Sequence, residues 1–366
     1  MKCERCLNEN PLYFYEGTRG IYCRRCIHLG GHQVESLLEI DVKDEYATMP
    51  FELSEDQKRV SKLIAKKGLN ENVLVEAVCG AGKTELVIEL IEKAFSQKLH
   101  VGWMIARRQV VLQLAQRLES IFVDQKVIAV CEGYTDVLEG HLVLLTAHQL
   151  YRYPQKFDVL IVDEPDAFPF KNNDLLNDLA KVACKNTKIY LTATPDSTLI
   201  NSNVYHVFLH RRPHQRDLVV PQVIITWKWC QYLILIVYLF RIYKDERVLI
   251  FVPTIRLAKR LSTWLRLPMI TSQSENQQDV LLDFDRNDKG KLITTTILER
   301  GMTFEEVYVI VIESNHSVFD EASLVQISGR VGRSFEKEKG ECIFLGSKKS
   351  QAIQKCLQRL RHHNSV

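Results

Sequence analysis

Residues 75–90 read VEAVCGAGKTELVIEL: a short apolar strand runs into Gly80-Ala81-Gly82-Lys83-Thr84 and out into an apolar-striped helix. Glycines in such a turn let backbone N–H groups approach a phosphate, the lysine neutralises it, and the hydroxyl can ligate Mg2+. Ala77 stands where the strict phosphate-loop pattern has its first glycine. About eighty residues on, FDVLIVDEPDAF closes an intensely apolar stretch with Asp163 and Glu164. Carboxylates at the end of a buried strand, beside a phosphate loop, can organise Mg2+ and polarise a water. Thr192-Ala193-Thr194-Pro195 ends the next apolar run, and Gln326-x-x-Gly329-Arg330-x-x-Arg333 leaves a helix. Arginines so spaced can reach phosphates held by another domain. The chemistry these residues can support is nucleotide phosphoryl transfer.

A second constellation is Cys3-x2-Cys6 and Cys23-x2-Cys26, with sixteen residues between the pairs. Each pair can sit on a tight turn that presents two thiolates, and two turns complete a closed Zn2+ tetrahedron with no open position for catalysis. The alternative, a redox or disulfide pair, fits two knuckles at this spacing less well. His28 and His32 follow and read as surface residues. The intervening PLYFYEGTRGIYC predicts a small hairpin around Gly17 and Gly20. Tyr13, Tyr15, Tyr22, Arg19, Arg24 and Arg25 could form a stacking surface for single strands. The preferred reading is that the aromatics pack a ribbon too small for another core.

Elements must hold these groups in place, and their alternation is legible. NVLVEAV, a helix over Thr84–Lys98, HVGWMIA, a helix over Arg107–Ser120, KVIAV, HLVLLTA, FDVLIVD and TKIYLTA follow one another. A polar stretch, roughly Asp196–Pro221, reads as a loop; then come RVLIFVP, a helix near Leu257–Leu265, KLITTTI, VYVIVIES, a helix near Glu321–Ser328 and ECIFLGS. That rhythm implies parallel sheets covered by helices, hence an α/β protein with two domains in tandem after the ribbon. The divisions fall at residues 1–45, 46–205 and 206–366, with the acidic ESLLEIDVKDEYATMP as a linker or short helix.

The 366 residues carry 46% apolar and 25% charged residues, ordinary for a globular protein. A net charge of +3 names no partner, so any nucleic-acid footprint must be local. The amino terminus lacks a signal-peptide core. The longest apolar run, Tyr232–Phe240, has nine residues where a membrane span needs about twenty, and is expected to be a buried helix or strand. Of ten cysteines, six are scattered singly, as in a cytosolic protein. The basic tail SKKSQAIQKCLQRLRHH, with Ile353, Leu357 and Leu360 in one stripe, reads as a solvated terminal helix.

Taken in order, AVCGAGKT, ARRQVVLQLAQRL, TAHQLYRY, VDEPD, TATP, VLIFVPT, TTTILERGMTF and QISGRVGR resemble motifs I, Ia, Ib, II, III, IV, V and VI of helicase superfamily 2. The resemblance covers about residues 50–345 and implies two tandem RecA-like parallel-sheet domains. The ribbon, VCGAGKTE, DEPDAFP and TTTILERG further resemble the ComFA family of helicase-like DNA-uptake ATPases. Pro165, and Thr303 where many superfamily members have Asp, are departures. Members generally carry more sequence before the first knuckle; this chain begins two residues ahead of Cys3, so the resemblance implies a missing extension.

The resemblance also implies roles. Gln57 resembles the glutamine that reads adenine, Gly80 and Gly82 line the phosphates, and Lys83 and Thr84 bind phosphates and Mg2+. Asp163 holds Mg2+, Glu164 polarises the attacking water, and Gln326, Arg330 and Arg333 sense the γ-phosphate. Thr192 and Thr194 couple nucleotide state to domain closure, while Arg107, Thr146 and Thr296 grip a nucleic-acid backbone, with Arg108 an alternative to Arg107. ATP, Mg2+ and Zn2+ are the implied cofactors. The implied partners are single-stranded DNA, a ComFC-type protein, a membrane DNA channel and strand-loading proteins. The expected place is cytoplasmic, peripheral at the inner face of the membrane, with oligomers possible.

Motor lobes of about 150 residues leave little room for a strand-separating wedge, which favours a single-strand translocase over a duplex unwinder. A repair or restart helicase and an ATP-switched DNA-binding scaffold are the competing readings.

Overall fold

The computed structural model describes every residue except 19, 31, 44–45, 300–303, 305, 333–339 and 366. Arg19, Arg333 and the Arg300–Thr303 portion of motif V lie outside the described residues. The chain divides into two compact units, Met1–Ala77 with Gly82–Leu209, and Val78–Ala81 with His210–Val366.

The first unit opens with an antiparallel hairpin, β1 (Phe14–Gly17) and β2 (Gly20–Cys23), in register from Phe14↔Cys23 to Gly17↔Gly20. Gly20 stands at φ +106°, a backbone state that side chains with a Cβ rarely adopt. Next come α1 (Glu55–Lys67), β3 (Val73–Ala77), α2 (Ile88–Ser96), β4 (Val101–Ile105), α3 (Arg108–Ile121), β5 (Val127–Val130) and β6 (Leu142–Thr146). They continue as β7 (Phe157–Asp163), α4 (Asp174–Ala183), β8 (Cys184–Thr192), α5 (Ser197–Ile200) and β9 (Tyr205–Leu209). Strands β3 to β9 form one parallel sheet in the order β5-β6-β4-β7-β8-β3-β9. Its central strands are buried along nearly their whole length, as their continuous apolar runs require of a sheet covered on both faces.

Two stretches differ from expectation. The polar segment after Asp196 contains β9, an edge strand that pairs with β3 from Val73↔Tyr205 to Ala77↔Leu209. Residues 34–43 and 46–48 lie as a strap along the first unit. Val34 joins the core cluster of Leu150, Tyr153 and Phe157, and Ile40, Tyr46 and Ala47 are buried. Val34 N–H donates to Arg152 O at 2.8 Å, Thr48 N–H to Ile121 O at 2.9 Å, and Ala47 N–H to the Glu92 carboxylate at 3.0 Å. The acidic residues suggested a linker or short helix, but the few apolar ones fix its position as an extended strap.

The second unit runs β10 (Gln222–Ile225), α6 (Lys228–Val237), β11 (Arg247–Phe251), α7 (Ile255–Leu265), β12 (Met269–Ile270) and α8 (Gln277–Arg286). It ends with β13 (Lys291–Thr294), β14 (Val307–Val311), α9 (Glu321–Ser328), β15 (Cys342–Gly346) and α10 (Gln351–Ser365). Its six parallel strands lie in the order β10-β15-β14-β11-β13-β12. The apolar run Tyr232–Phe240 is helical, in α6 and a π-turn over Tyr238–Ile242, but it is not buried all round. Gln231, Leu235 and Leu239 face the core, whereas Leu233, Val237 and Phe240 are exposed, because a helix laid on a sheet covers one stripe only.

The carboxyl-terminal helix is docked rather than solvated. Ile353, Cys356, Leu357 and Leu360 are buried, and Arg359 Nε donates to Glu321 Oε1 of α9 at 2.7 Å. Near its end, buried His363 places Nδ1 3.2 Å from Nδ1 of His210. Burial first, then His210, Arg359 and His362, push the His363 pKa from 6.5 down to about 4. The folded state therefore holds it neutral; that stability is intact above pH 6.5 and is lost as pH falls toward 4. Between about pH 7 and about pH 4.5, the urea midpoint followed by circular dichroism should fall further in the wild-type chain than in His363→Gln.

Candidate nucleotide and zinc sites

After β3 the chain turns through Cys79–Gly82 and enters α2 by a short 3-10 turn, Glu85–Val87. Gly80 and Gly82 have φ of +81° and +78°, left-handed states in which glycine carries no steric penalty. A Cβ on Gly82 would also lie 2.6 Å from Gln57 Nε2 and 2.9 Å from Glu85 Oε2. The Gln57 amide thus lies against the phosphate loop. Its Oε1 meanwhile accepts the Ser54 N–H at 3.0 Å, and Ser54 Oγ accepts the Gln57 N–H at 3.3 Å. This reciprocal capping box, with Glu55 and Asp56 at the positive end, starts α1 despite that helix's low apolar content.

The Lys83 ammonium lies 3.5 Å from Glu164 Oε1, both side chains being largely sheltered. Asp163 is the last residue of β7, opposite Leu191 of β8. Glu164 follows at φ +53°, and its N–H donates to Leu191 O at 2.8 Å. A side chain held in this left-handed region costs about 1–2 kcal/mol and persists where surrounding structure enforces it. The enforced turn aims the Glu164 carboxylate back toward Lys83.

Two residues on, a further carboxylate completes the edge. Thr192 Oγ1 donates to Asp166 Oδ1 at 2.6 Å, Thr194 Oγ1 donates to Asp166 Oδ2 at 2.7 Å, and Thr194 N–H donates to Thr192 Oγ1 at 3.0 Å. All three residues are buried. Thr192 and Thr194 were expected from the sequence; Asp166, their shared acceptor, was not. Its signal was the fourth position of DEPD, within the quoted motif.

The same carboxyl edge carries the expected backbone-gripping residues of this unit. Ile105 pairs with Thr146, and Met104 with Val162, so β6, β4 and β7 end side by side. Arg107 caps α3 beyond Ile105. Arg108 instead donates from Nε to Glu132 O at 2.7 Å and lies over the Tyr134 ring.

In the second unit, Thr296 begins the turn that leaves β13, and Gln326 is buried in α9. Arg330, just past Gly329, is 1% exposed. Arg212, which sequence reasoning passed over as part of a loop, is buried beneath this turn. It donates from Nη2 to Gly329 O at 3.1 Å and from Nη1 to Val331 O at 2.9 Å and Gly332 O at 2.5 Å. These bonds to the Gly329, Val331 and Gly332 carbonyls fix the backbone on both sides of Arg330.

The four ribbon sulfurs lie within 4.8 Å of one another, with Cys3–Cys26 at 3.7 Å and Cys6–Cys23 at 3.8 Å. A disulfide needs about 2 Å, whereas thiolates about 2.3 Å from a tetrahedral Zn2+ stand near 3.8 Å apart. The cluster fits zinc. Its small core is completed by Phe14, Leu29 and Leu175 of α4, not by the tyrosines, and Tyr13 and Tyr15 are exposed. Arg25 Nη1 reaches Asp178 at 2.8 Å, and Arg5 lies over the Tyr151 ring, so the ribbon is seated on the first unit.

The loop glycines, Lys83, Thr84 and the Asp163–Glu164 pair likewise suit a nucleoside triphosphate with Mg2+. Asp166→Ala should lower the stability of the protein by about 2–4 kcal/mol in urea titrations, because two buried hydroxyls lose their acceptor. Asp166→Asn, whose amide can still pair with both, should cost less. Cys26→Ser should lose about one equivalent of zinc in a chelator-dye assay, while Cys184→Ser, a buried thiol bonded to Thr187 O, should keep it.

Residues 50–197 match the family model described as type III restriction enzyme, res subunit, and residues 230–335 match helicase conserved C-terminal domain. The chain is 30% identical to competence protein ComFA of Bacillus subtilis, over 100% of this chain and 86% of that protein. With competence protein ComFA of Streptococcus pneumoniae it shares 30% identity over 99% of this chain and 90% of the other. The transcription-repair-coupling factor of Helicobacter pylori is 25% identical over 92% of this chain but 35% of its own length. Among solved structures, Saccharomyces cerevisiae Dbp5 bound to RNA and ADP BeF3 gives a TM-score of 0.65 at 16% identity, covering 85% of this chain and 88% of that one. DEAD-box helicase Mss116 bound to ssRNA gives 0.61 at 20% identity, covering 80% and 69%. Those likenesses establish the fold, two RecA-like parallel-sheet units. With its four-cysteine ribbon, its helicase-type units and whole-length kinship to two competence proteins, the chain belongs to the ComFA family of helicase-like proteins in superfamily 2.

Proposed function

We propose that this protein is a Mg2+/ATP-driven motor that moves along single-stranded DNA and draws transforming DNA across the cytoplasmic membrane during competence. The observation that carries the reading is the continuous edge in which Lys83 meets Glu164 and Asp166 holds both Thr192 and Thr194. ATP with Mg2+ supplies the phosphoanhydride whose hydrolysis drives the cycle. Lys83 and Thr84 bind phosphate and metal, Asp163 orients the metal, and Glu164 polarises water. Gln57 reads the base, and Gln326, Arg330 and Arg333 respond to the terminal phosphate. Glu164 is two residues from Asp166, so a change at the reacting phosphate is passed to the Thr192–Thr194 strand end. Arg107, Thr146 and Thr296 grip the DNA backbone, which makes movement indifferent to sequence.

No helix among the described residues is long and apolar enough to cross a membrane. The proposed place is peripheral, at the inner membrane face, beside a DNA channel, a ComFC-type protein and strand-loading proteins, with self-assembly compatible with this role. The similarity to a transcription-repair-coupling factor keeps a repair or restart helicase as the second reading.

Steady-state ATP hydrolysis by the zinc-loaded protein should rise at least about tenfold with single-stranded DNA and little with duplex or RNA, and Glu164→Gln should abolish it. The wild type should then displace streptavidin from end-biotinylated single strands. Strong unwinding of forked duplex would favour the helicase reading. DNA binding with slow turnover and no displacement would identify a switched scaffold instead.

A further inference from the structure

Three of the four tryptophans are exposed, and all three belong to one side of the second unit. Trp227 caps α6 at 83% exposure, Trp229 in its first turn is 75% exposed, and Trp264 on α7 is 56% exposed. Both helices pack through one apolar cluster, α6 by Leu235 and α7 by Ala258 and Leu261, so they cover the same face of the sheet. On α6 the positions 229, 233, 237 and 240 form a stripe opposite the buried Gln231, Leu235 and Leu239. Leu233 in that stripe is 63% exposed, Val237 and Phe240 are exposed with it, and Ile242 is exposed at the end of the π-turn. Helical spacing makes this a continuous outward apolar surface.

Charge decides what covers it. No aspartate or glutamate occurs in residues 218–244 or 247–274, which include both helices. Arg241, Lys244, Arg256, Lys259, Arg260 and Arg266 are all exposed there. The acidic residues bordering the face include Glu313, which is paired with Lys228 at 2.8 Å, and Asp245, paired with Lys289 at 2.7 Å. Tryptophan and aliphatic side chains between arginines and lysines suit the boundary of an anionic bilayer, where indole rings sit at headgroup depth and cations meet lipid phosphates. Nucleic acid would use the cations and the indoles but has no use for Leu233, Val237 and Ile242.

We propose that the outer face of α6 and α7 is a docking surface for an anionic phospholipid membrane. It deepens the peripheral placement suggested above by naming the surface and the lipid chemistry. The motor reading is tested without lipid, so the two can fail separately.

The full-length, zinc-loaded protein should co-sediment with phosphatidylglycerol/phosphatidylcholine vesicles, and far less with phosphatidylcholine alone. Its tryptophan fluorescence should shift to the blue, since only Trp103 is buried beforehand. Trp229→Ser with Leu233→Ser, and separately Arg256→Glu with Arg260→Glu, should each weaken vesicle binding at least about tenfold and leave DNA-stimulated ATP hydrolysis unchanged. These side chains are exposed, and circular dichroism verifies that both variants fold. Absence of binding to the anionic vesicles, or equal binding by folded variants, overturns the proposal. So does selective loss of single-stranded DNA affinity, which assigns the face to nucleic acid. Loss of self-association with lipid binding intact assigns it to a second copy.

Discussion

Because β7 is locked in register between β4 and β8, the residues that follow Val162 can be placed to within a side chain's reach of their partners. A parallel sheet ends all its strands at one edge, and in the first unit that edge receives the end of β7, the end of β8 and, through its contact with Glu164, Lys83. Slippage of β7 by one residue would turn its side chains to the opposite faces and carry Asp163 away from the edge. The strand resists slippage because both its faces are buried, so any shift would also bury the charge of Asp163 or expose Leu160 and Val162. The chemistry is thereby tied to the core. The apolar run that looks purely structural is what keeps the acids where they can act.

That edge concentrates charge in a sheltered place, and the local pairings show how it is tolerated. Lys83 stands beside Glu164, and buried Glu85, at the start of the next turn, is held by Arg117 of α3. Glu85 and Gln57 together crowd Gly82, so the phosphate loop is braced from the side of α1 and α3 as well as by its own strand. Asp166 accepts from two buried hydroxyls, those of Thr192 and Thr194. Hydrogen bonds of this kind, donated to the charged form of a buried carboxylate, favour that form. Asp166 thereby links the segment after β7 to the end of β8.

How much of this was legible depended on the kind of signal. The long apolar strands β3, β4, β6, β7, β11, β14 and β15 stood out because a doubly covered sheet demands uninterrupted Val, Ile and Leu. Edge strands do not, and β9, β10 and β12 escaped notice: His206 and the polar flanks hid the first, and the last has only Met269 and Ile270. Helix α1 was hidden for another reason, since its start is written in Ser54 and Gln57 rather than in an apolar stripe. Of the residues read from motifs, Lys83 and Glu164 lie together, and Thr192 and Thr194 share one acceptor. Asp166 and Arg212 were not legible, because each acts through partners distant in sequence: twenty-six residues for Thr192, more than a hundred for Gly329. A lone polar residue reveals nothing about the carbonyls or hydroxyls it will gather. The apolar run of α6 misled for the converse reason, as hydrophobicity alone does not say which side of a helix a sheet will cover.

The ribbon shows two adjacent residues assigned to different work by the same principle. Arg25 turns inward to Asp178, while Arg24 stays exposed with its guanidinium 3.3 Å from the centre of the Tyr15 ring. Beneath them, Leu175 contributes to the core around the thiols, and the strap that follows inserts Val34 into the first unit's interior. The ribbon is therefore part of the wall of that unit. Removing it would uncover Leu175, leave Asp178 without Arg25 and loosen the anchorage of the strap, all before any effect on a ligand. Loss of DNA affinity after such a truncation would report on packing. The question of whether zinc also serves binding is carried by the exposed Tyr15–Arg24 pair, whose side chains can be changed without disturbing the metal or the seat on α4.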